Sequence, residues 1–200
     1  MMFLKTVTIL SLITLGSISA IAQGGSTQQD TSLEKKINEA NVNDLLGKIR
    51  NIFNKRDPDS IKSFFDFYAD SDARFIKTTF LIDPDNPDNV LQNEGINLSR
   101  GEYVDYMSKI LRNPTRYFYR QSEIQFKLGA KPTEALVSFH ADEVIMYDAP
   151  SSMGIERYEK MLTSANCNMN VQLSGGGLKI MGLNCIEKVA KKTLEIQPDK

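Results

Sequence analysis

One histidine and two cysteines are too few to build an ordinary zinc site. The single glycine cluster, residues 175–177, runs into leucine rather than into the lysine and helix of a phosphate-binding loop. No Gly-x-Ser-x-Gly elbow for a serine nucleophile occurs. Neither sign of charge dominates: 24 basic residues against 25 acidic ones leave a formal net charge of −1. The broad basic face that nucleic-acid binding wants is therefore missing. The one basic-aromatic stretch, RNPTRYFYR at 112–120, sends Arg116 and Arg120 to one side and Tyr117 and Tyr119 to the other, as a half-exposed strand does. Asp83, Asp85 and Asp88 crowd one segment, but two prolines intervene and the glycine and terminal glutamate of a calcium loop are not in place. Metal centres, cofactors and nucleic acid are thus not expected. No internal repeat is visible, and no apolar run reaches the roughly 20 residues that span a bilayer.

What is present begins with MMFLKTVTILSLITLGSISAIAQ. Lys5 precedes an apolar run from Val7 to Ile21 that closes on Ala20-Ile21-Ala22, the small-x-small pattern of a signal-peptidase site. The reading is a signal peptide over residues 1–22, cleaved after Ala22, and a secreted or periplasmic protein. No cysteine follows the run, so a lipid-anchored N-terminus is not expected. Residues 23–32 (QGGSTQQDTS) lack apolar periodicity and read as a flexible leader.

A single domain is expected over 33–190, with a charged tail over 191–200. Apolar spacing predicts a helix from Leu33 to Lys55, its stripe formed by Leu33, Ile37, Leu45, Ile49, Ile52 and Phe53. Asp57 caps a second helix with Pro58 at its first position, and Ile61, Phe64, Phe65 and Tyr68 recur at helical spacing. Residues 73–82 read as strand. DPDNPDN, 83–89, can be neither helix nor inner strand. Ser99-x-x-Glu102 is a capping box opening a third helix through Leu111. Beyond Pro114 the chain turns to β: 116–128 and 134–147 are strands separated by GAKPT. IERYEKMLTS, 155–164, is ambiguous.

The two cysteines sit symmetrically about Gly176. If Ser174 faces Leu178 across a three-glycine loop, the hairpin pairs Val171 with Met181, Met169 with Leu183 and Cys167 with Cys185. Alternation puts Cys167, Met169, Val171 and Leu173 on one apolar face, with Asn168, Asn170 and Gln172 opposite. The cysteines then meet at a closely spaced pair, within disulfide reach, and export supplies the oxidising compartment. A Cys167–Cys185 bridge follows.

The element order, helix, helix, strand, helix and then at least four strands, describes an α+β protein. DPDSIKSFFDFYADSDARFI (57–76), LSRGEYVDYMSKIL (98–111) and the strands after them resemble the nuclear-transport-factor-like superfamily, which includes ketosteroid isomerases and polyketide cyclases. That resemblance implies a cone-shaped, curved antiparallel sheet packed on three N-terminal helices. It also implies a pocket between sheet and helices, and dimerisation through the sheet. Isomerase-type members line the pocket with a tyrosine and carboxylates, yet no tyrosine occurs between 33 and 55 here. Tyr68, Tyr103, Tyr106 and Tyr147 are the tyrosines that other elements can bring to a pocket. His140, the only histidine, shares a strand face with Asp142 and Ser138, opposite Val137, Phe139 and Ala141, so the His140–Asp142 pair is expected to point out of the core. The expected function is an exported, non-catalytic binding or scaffolding domain of the cell envelope, holding a small hydrophobic ligand or an envelope protein. The alternatives are a secretion or conjugation assembly subunit, and a small-molecule isomerase or lyase using His140 and Asp142.

Overall fold

The computed structural model describes residues 36–152 and 155–196; the expected signal peptide and leader lie outside them. Three helices and six strands follow in the order α1 (Glu39–Lys55), α2 (Pro58–Tyr68), β1 (Ala69–Asp83), β2 (Asn86–Ser99), α3 (Arg100–Arg112), β3 (Arg116–Leu128), β4 (Glu134–Ser152), β5 (Ile155–Ser174) and β6 (Gly177–Ile196). The strands form one curved, unclosed sheet in the order β2-β1-β6-β5-β4-β3. The helices pack on its concave side, making an α+β cone. Among the described residues no helix is long and apolar enough to cross a membrane.

Helix starts follow local chemistry. Asn38 and Asn41 cap α1 reciprocally, side chain to backbone, so the helix opens at Glu39; Leu33, its expected start, lies outside the described residues. Ile37, expected inside the helix, precedes it and donates its N–H to the carbonyl of Pro132. Asp57 accepts from the backbone of Asp59 and Ser60 at the start of α2, and the Ser99–Glu102 box opens α3. The inward stripes are Val42, Leu45, Leu46, Ile49 and Phe53; Ile61, Phe64 and Phe65; and Tyr103, Val104, Met107 and Leu111. Burying each large side chain of this kind stabilises by about 1.5–3 kcal/mol. Asn54 ties α1 to β3, accepting the N–H of Tyr119 and donating to its carbonyl. That clamp holds Phe53 against Tyr119, their ring centres 5.1 Å apart.

Three expectations are corrected. The sheet is not wholly antiparallel, because β1 and β6 run parallel. β2 is an unexpected strand: NPDNVLQNEGINLS lacks alternation because it is the exposed edge, paired only to β1. Pro87 is tolerated there, as edges allow. The expected tail is strand as far as Ile196, since Lys191–Ile196 continue the ladder with β5.

The hairpin keeps the expected cysteine register by a different route. Gly175 and Gly176 both take positive φ and form a two-residue loop, with Ser174 facing Gly177. A one-residue bulge follows, so Val171 faces Ile180 while Met169 still faces Leu183. Met181 therefore loses the inward place to Ile180, which is 2 % exposed. Beyond the bulge Cys167 faces Cys185, Cα atoms 4.1 Å apart, and the two are bridged.

Candidate functional site

Three cross-strand rows build the floor of the cone. Phe139, Cys167, Cys185 and Lys77 form one; Ala141, Ala165, Glu187 and Thr79 the next; Tyr119, Glu143, Thr163 and Val189 the third. Each residue of these rows falls on the same strand parity, so all point to the concave side. The deep end is an apolar chamber of about 70 Å³, walled by Phe53, Phe65, Phe75, Phe139, Met107 and the disulfide. Towards the mouth lies a wider vestibule of about 310 Å³ that includes Tyr106, Tyr147, Gln92, Glu94 and Lys191. Lys77, Glu143, Thr163 and Glu187 line both spaces. The junction is polar and charged, while the chamber beyond it is apolar and aromatic.

The junction holds two carboxylates and one ammonium. Lys77 Nζ lies 3.0 Å from Glu187 Oε2 and donates to the Tyr106 hydroxyl at 3.2 Å. Thr79 donates to Glu187 Oε1 at 2.6 Å. Burial alone would push Lys77 down. The charge of Glu187, with contributions from Tyr106 and Glu143, outweighs it and holds the ammonium above its ordinary value. Glu143 is differently placed: its Oε1 accepts from Tyr117 at 2.9 Å. Burial raises its carboxyl, the Lys77 charge and the Tyr117 bond only partly oppose this, and Glu187 adds to the rise. Burial also raises the hydroxyls of Tyr117 and Tyr119, and the Glu143 charge raises both further. A carboxyl raised in this way holds its proton more tightly: protonated it can donate to an acceptor, and it can give up the proton when positive charge arrives.

A group bound more tightly to its proton in the folded state draws down stability as pH rises past its unfolded value. Wild type should therefore lose stability relative to Glu143→Gln from about pH 4.5 upward, until the raised value is passed. The difference grows at no more than about 1.4 kcal/mol per pH unit. Urea denaturation of both proteins between pH 4 and 9 checks this. A difference independent of pH would show that Glu143 ionises normally.

Among the expected pocket tyrosines, Tyr103 lines the chamber, and Tyr106 and Tyr147 the vestibule. Tyr68 lies elsewhere, stacked on Phe64 with centroids 4.7 Å apart in a depression between α1 and α2. His140 and Asp142 stand on the outer face of the sheet. His140 Nδ1 meets Asn166 Oδ1 and its Nε2 meets Asp142 Oδ1, each at 3.1 Å, and Arg120 donates to Asp142 at 2.7 Å. Hydrogen bonding to Asn166 raises the imidazole, burial opposes it, and the bond to and charge of Asp142 add to the rise. The Arg120 bond, then His140, lowers Asp142. Strand parity separates this pair from the cone interior. Among the described residues no group of three histidine, cysteine or acidic side chains is placed to hold a metal ion.

No protein-family model matches the sequence, and no curated protein does. Solved structures do resemble the fold. The Kfla4162 protein of Kribbella flavida superposes with a TM-score of 0.51 at 7% identity, over 74% of this chain and 88% of that one. A candidate scytalone dehydratase from Novosphingobium aromaticivorans gives 0.50 at 11% identity, over 80% and 88%. A domain of unknown function with a cystatin-like fold from Nostoc punctiforme gives 0.49 at 15%, over 75% and 78%. The shared fold, three helices on a curved, unclosed sheet, is the one that the nuclear-transport-factor-like resemblance implies. At these identities the likeness concerns the fold alone and leaves activity to the site.

Proposed function

We propose that this is an exported binding module whose cone takes a small, mostly apolar molecule, its single polar end at Glu143, Lys77 and Tyr117. The observation that carries the reading is the junction itself: an aromatic chamber opening onto a few convergent polar groups, the usual make-up of a small-molecule site. The buried disulfide supports an oxidising compartment and hence export to the envelope or beyond. The outer sheet face carries exposed Phe118, Leu162 and Ile186, which supports pairing with a second copy or an envelope partner. A monomer in sedimentation at micromolar concentration would remove the self-pairing.

A calorimetric screen of small aromatic compounds tests the pocket. Ala165→Leu should abolish binding by filling the chamber from its floor, whereas His140→Ala and Asp142→Asn should leave affinity within about twofold. Binding that survives the filled chamber and is lost with the outer pair would overturn the assignment.

A second reading, proton-transfer catalysis of the isomerase or lyase kind, is favoured by one observation, the raised carboxyl of Glu143 beside an apolar chamber. The fold likeness to a candidate scytalone dehydratase is compatible with it. On this reading Glu143, not His140 with Asp142, moves the proton. Turnover of any bound compound, lost in Glu143→Gln while binding persists, would establish it.

A further inference from the structure

Lys77 displays the kind of cation that this cone accommodates. Its ammonium sits against a carboxylate (Glu187), a phenol oxygen (Tyr106) and the face of the same ring, 5.2 Å from the centroid. Glu143, across the same junction, accepts a hydrogen bond from the Tyr117 hydroxyl and stands beside Tyr119 in its cross-strand row. Among the described residues no ammonium pairs with it directly: Lys77, whose charge it feels, lies 3.0 Å from Glu187. The junction thus carries one carboxylate more than it has cations. We propose that the molecule held in the cone is a small organic cation, an amine on an apolar or aromatic body, whose positive end pairs with Glu143 while its body enters the chamber.

This rests on the pocket reading above and specifies its ligand class. An anion would face Glu187 and force Glu143 to remain protonated. A neutral molecule would leave the extra carboxyl without a charge partner. A cation turns the half-buried Glu143 into one partner of an ion pair held inside the cone. Binding then carries a proton signature. Where Glu143 starts protonated, entry of the cation expels its proton to solvent, and affinity rises with pH. The other groups facing Glu143 are Lys77 on β1, Glu187 on β6, Tyr117 and Tyr119 on β3, and Tyr103 on α3. Tyr147 shares its strand, and Glu94 on β2, Tyr106 on α3 and Lys191 on β6 line the vestibule. Burial holds the hydroxyls of Tyr103, Tyr117, Tyr119 and Tyr147 up, and Glu187 holds the Lys77 ammonium up, so the released proton is assigned to Glu143.

The test uses three probes of one shape: benzylamine, protonated at neutral pH, benzyl alcohol, and benzoate. Titration calorimetry of the oxidised protein at pH 6 and 8, in buffers of different ionisation enthalpy, reads affinity and proton release together. Benzylamine should bind at least about tenfold more tightly than benzyl alcohol at pH 8, with benzoate weakest. At pH 6 its binding should release a fraction of a proton, up to one. In Glu143→Gln the preference should fall below about twofold and the proton release vanish. Equal or tighter binding of benzyl alcohol or benzoate overturns the cation assignment and leaves the pocket standing. Failure of all three to bind at millimolar concentration removes the pocket reading and this inference with it.

Discussion

Lys77→Met is expected to destabilise the protein by about 3–5 kcal/mol, the usual cost of removing one partner of a buried ion pair. Its side chain and that of Glu187 are only 18% and 6% exposed, so water can do little for the carboxylate left behind. The stem of methionine preserves much of the packing, which isolates the charge. The double variant Lys77→Met, Glu187→Leu should recover most of the loss, because neither charge then remains buried. Recovery will stop short by about 1 kcal/mol, since the Thr79 hydroxyl loses its acceptor. Chemical denaturation of the three proteins at pH 7 checks this. A Lys77→Met variant as stable as wild type would mean that the pair is hydrated and that the junction is not enclosed.

Loss of the Cys167–Cys185 bridge should cost about 3 kcal/mol, the chain-entropy value for a loop of this length. Two experiments separate the cross-link from the volume of its sulfurs. Reduction of wild type keeps both sulfurs in the chamber wall and removes only the bond. The Cys167→Ala, Cys185→Ala variant also removes the sulfurs, and should lose further stability because both residues line the chamber. Identical urea midpoints for oxidised and reduced wild type would show that the bridge stabilises nothing. The chamber would then rest on packing alone.

Most of the architecture is legible in the amino-acid order, and for identifiable reasons. The limits of β3, the caps of α2 and α3, and the cysteine register all follow from local chemistry: a proline, an aspartate, a Ser-x-x-Glu box and a glycine turn. β2 is hidden because an edge strand exposed on both faces has no alternation to display. The bulge beside Val171 is hidden because a loop one residue shorter, followed by a one-residue bulge, leaves the same cysteine pairing.

The site is harder to see, although its signal was present. Alternation along β4 places Ala135, Val137, Phe139 and Ala141 inward, and continued by one step it places Glu143 inward too. The same parity that turns His140 out turns Glu143 in. Charged residues are assigned to solvent by default, which conceals an inward glutamate within an apolar run. Lys77 follows Phe75 in β1 by the same rule, and Glu187 follows Cys185 in β6. Their meeting depends on the parallel β1–β6 ladder, a long-range pairing with no local signature. Tyr68, on an apolar helix stripe, differs from Tyr103 only in which neighbour that stripe meets.

The central claim is that small molecules enter the cone at the Glu143 junction rather than using the outer sheet face. Methyl-resolved NMR of alanine-, methionine- and leucine-labelled protein, titrated with benzylamine, tests this most directly. The chamber offers Ala141, Ala165, Met107 and Met169 as reporters, and the outer face offers Leu136 and Leu162. The account predicts saturable shifts at the first four, silence at the last two, and loss of those shifts in Ala165→Leu at the three reporters it retains. Shifts confined to Leu136 and Leu162, or unchanged by the filled chamber, would contradict it.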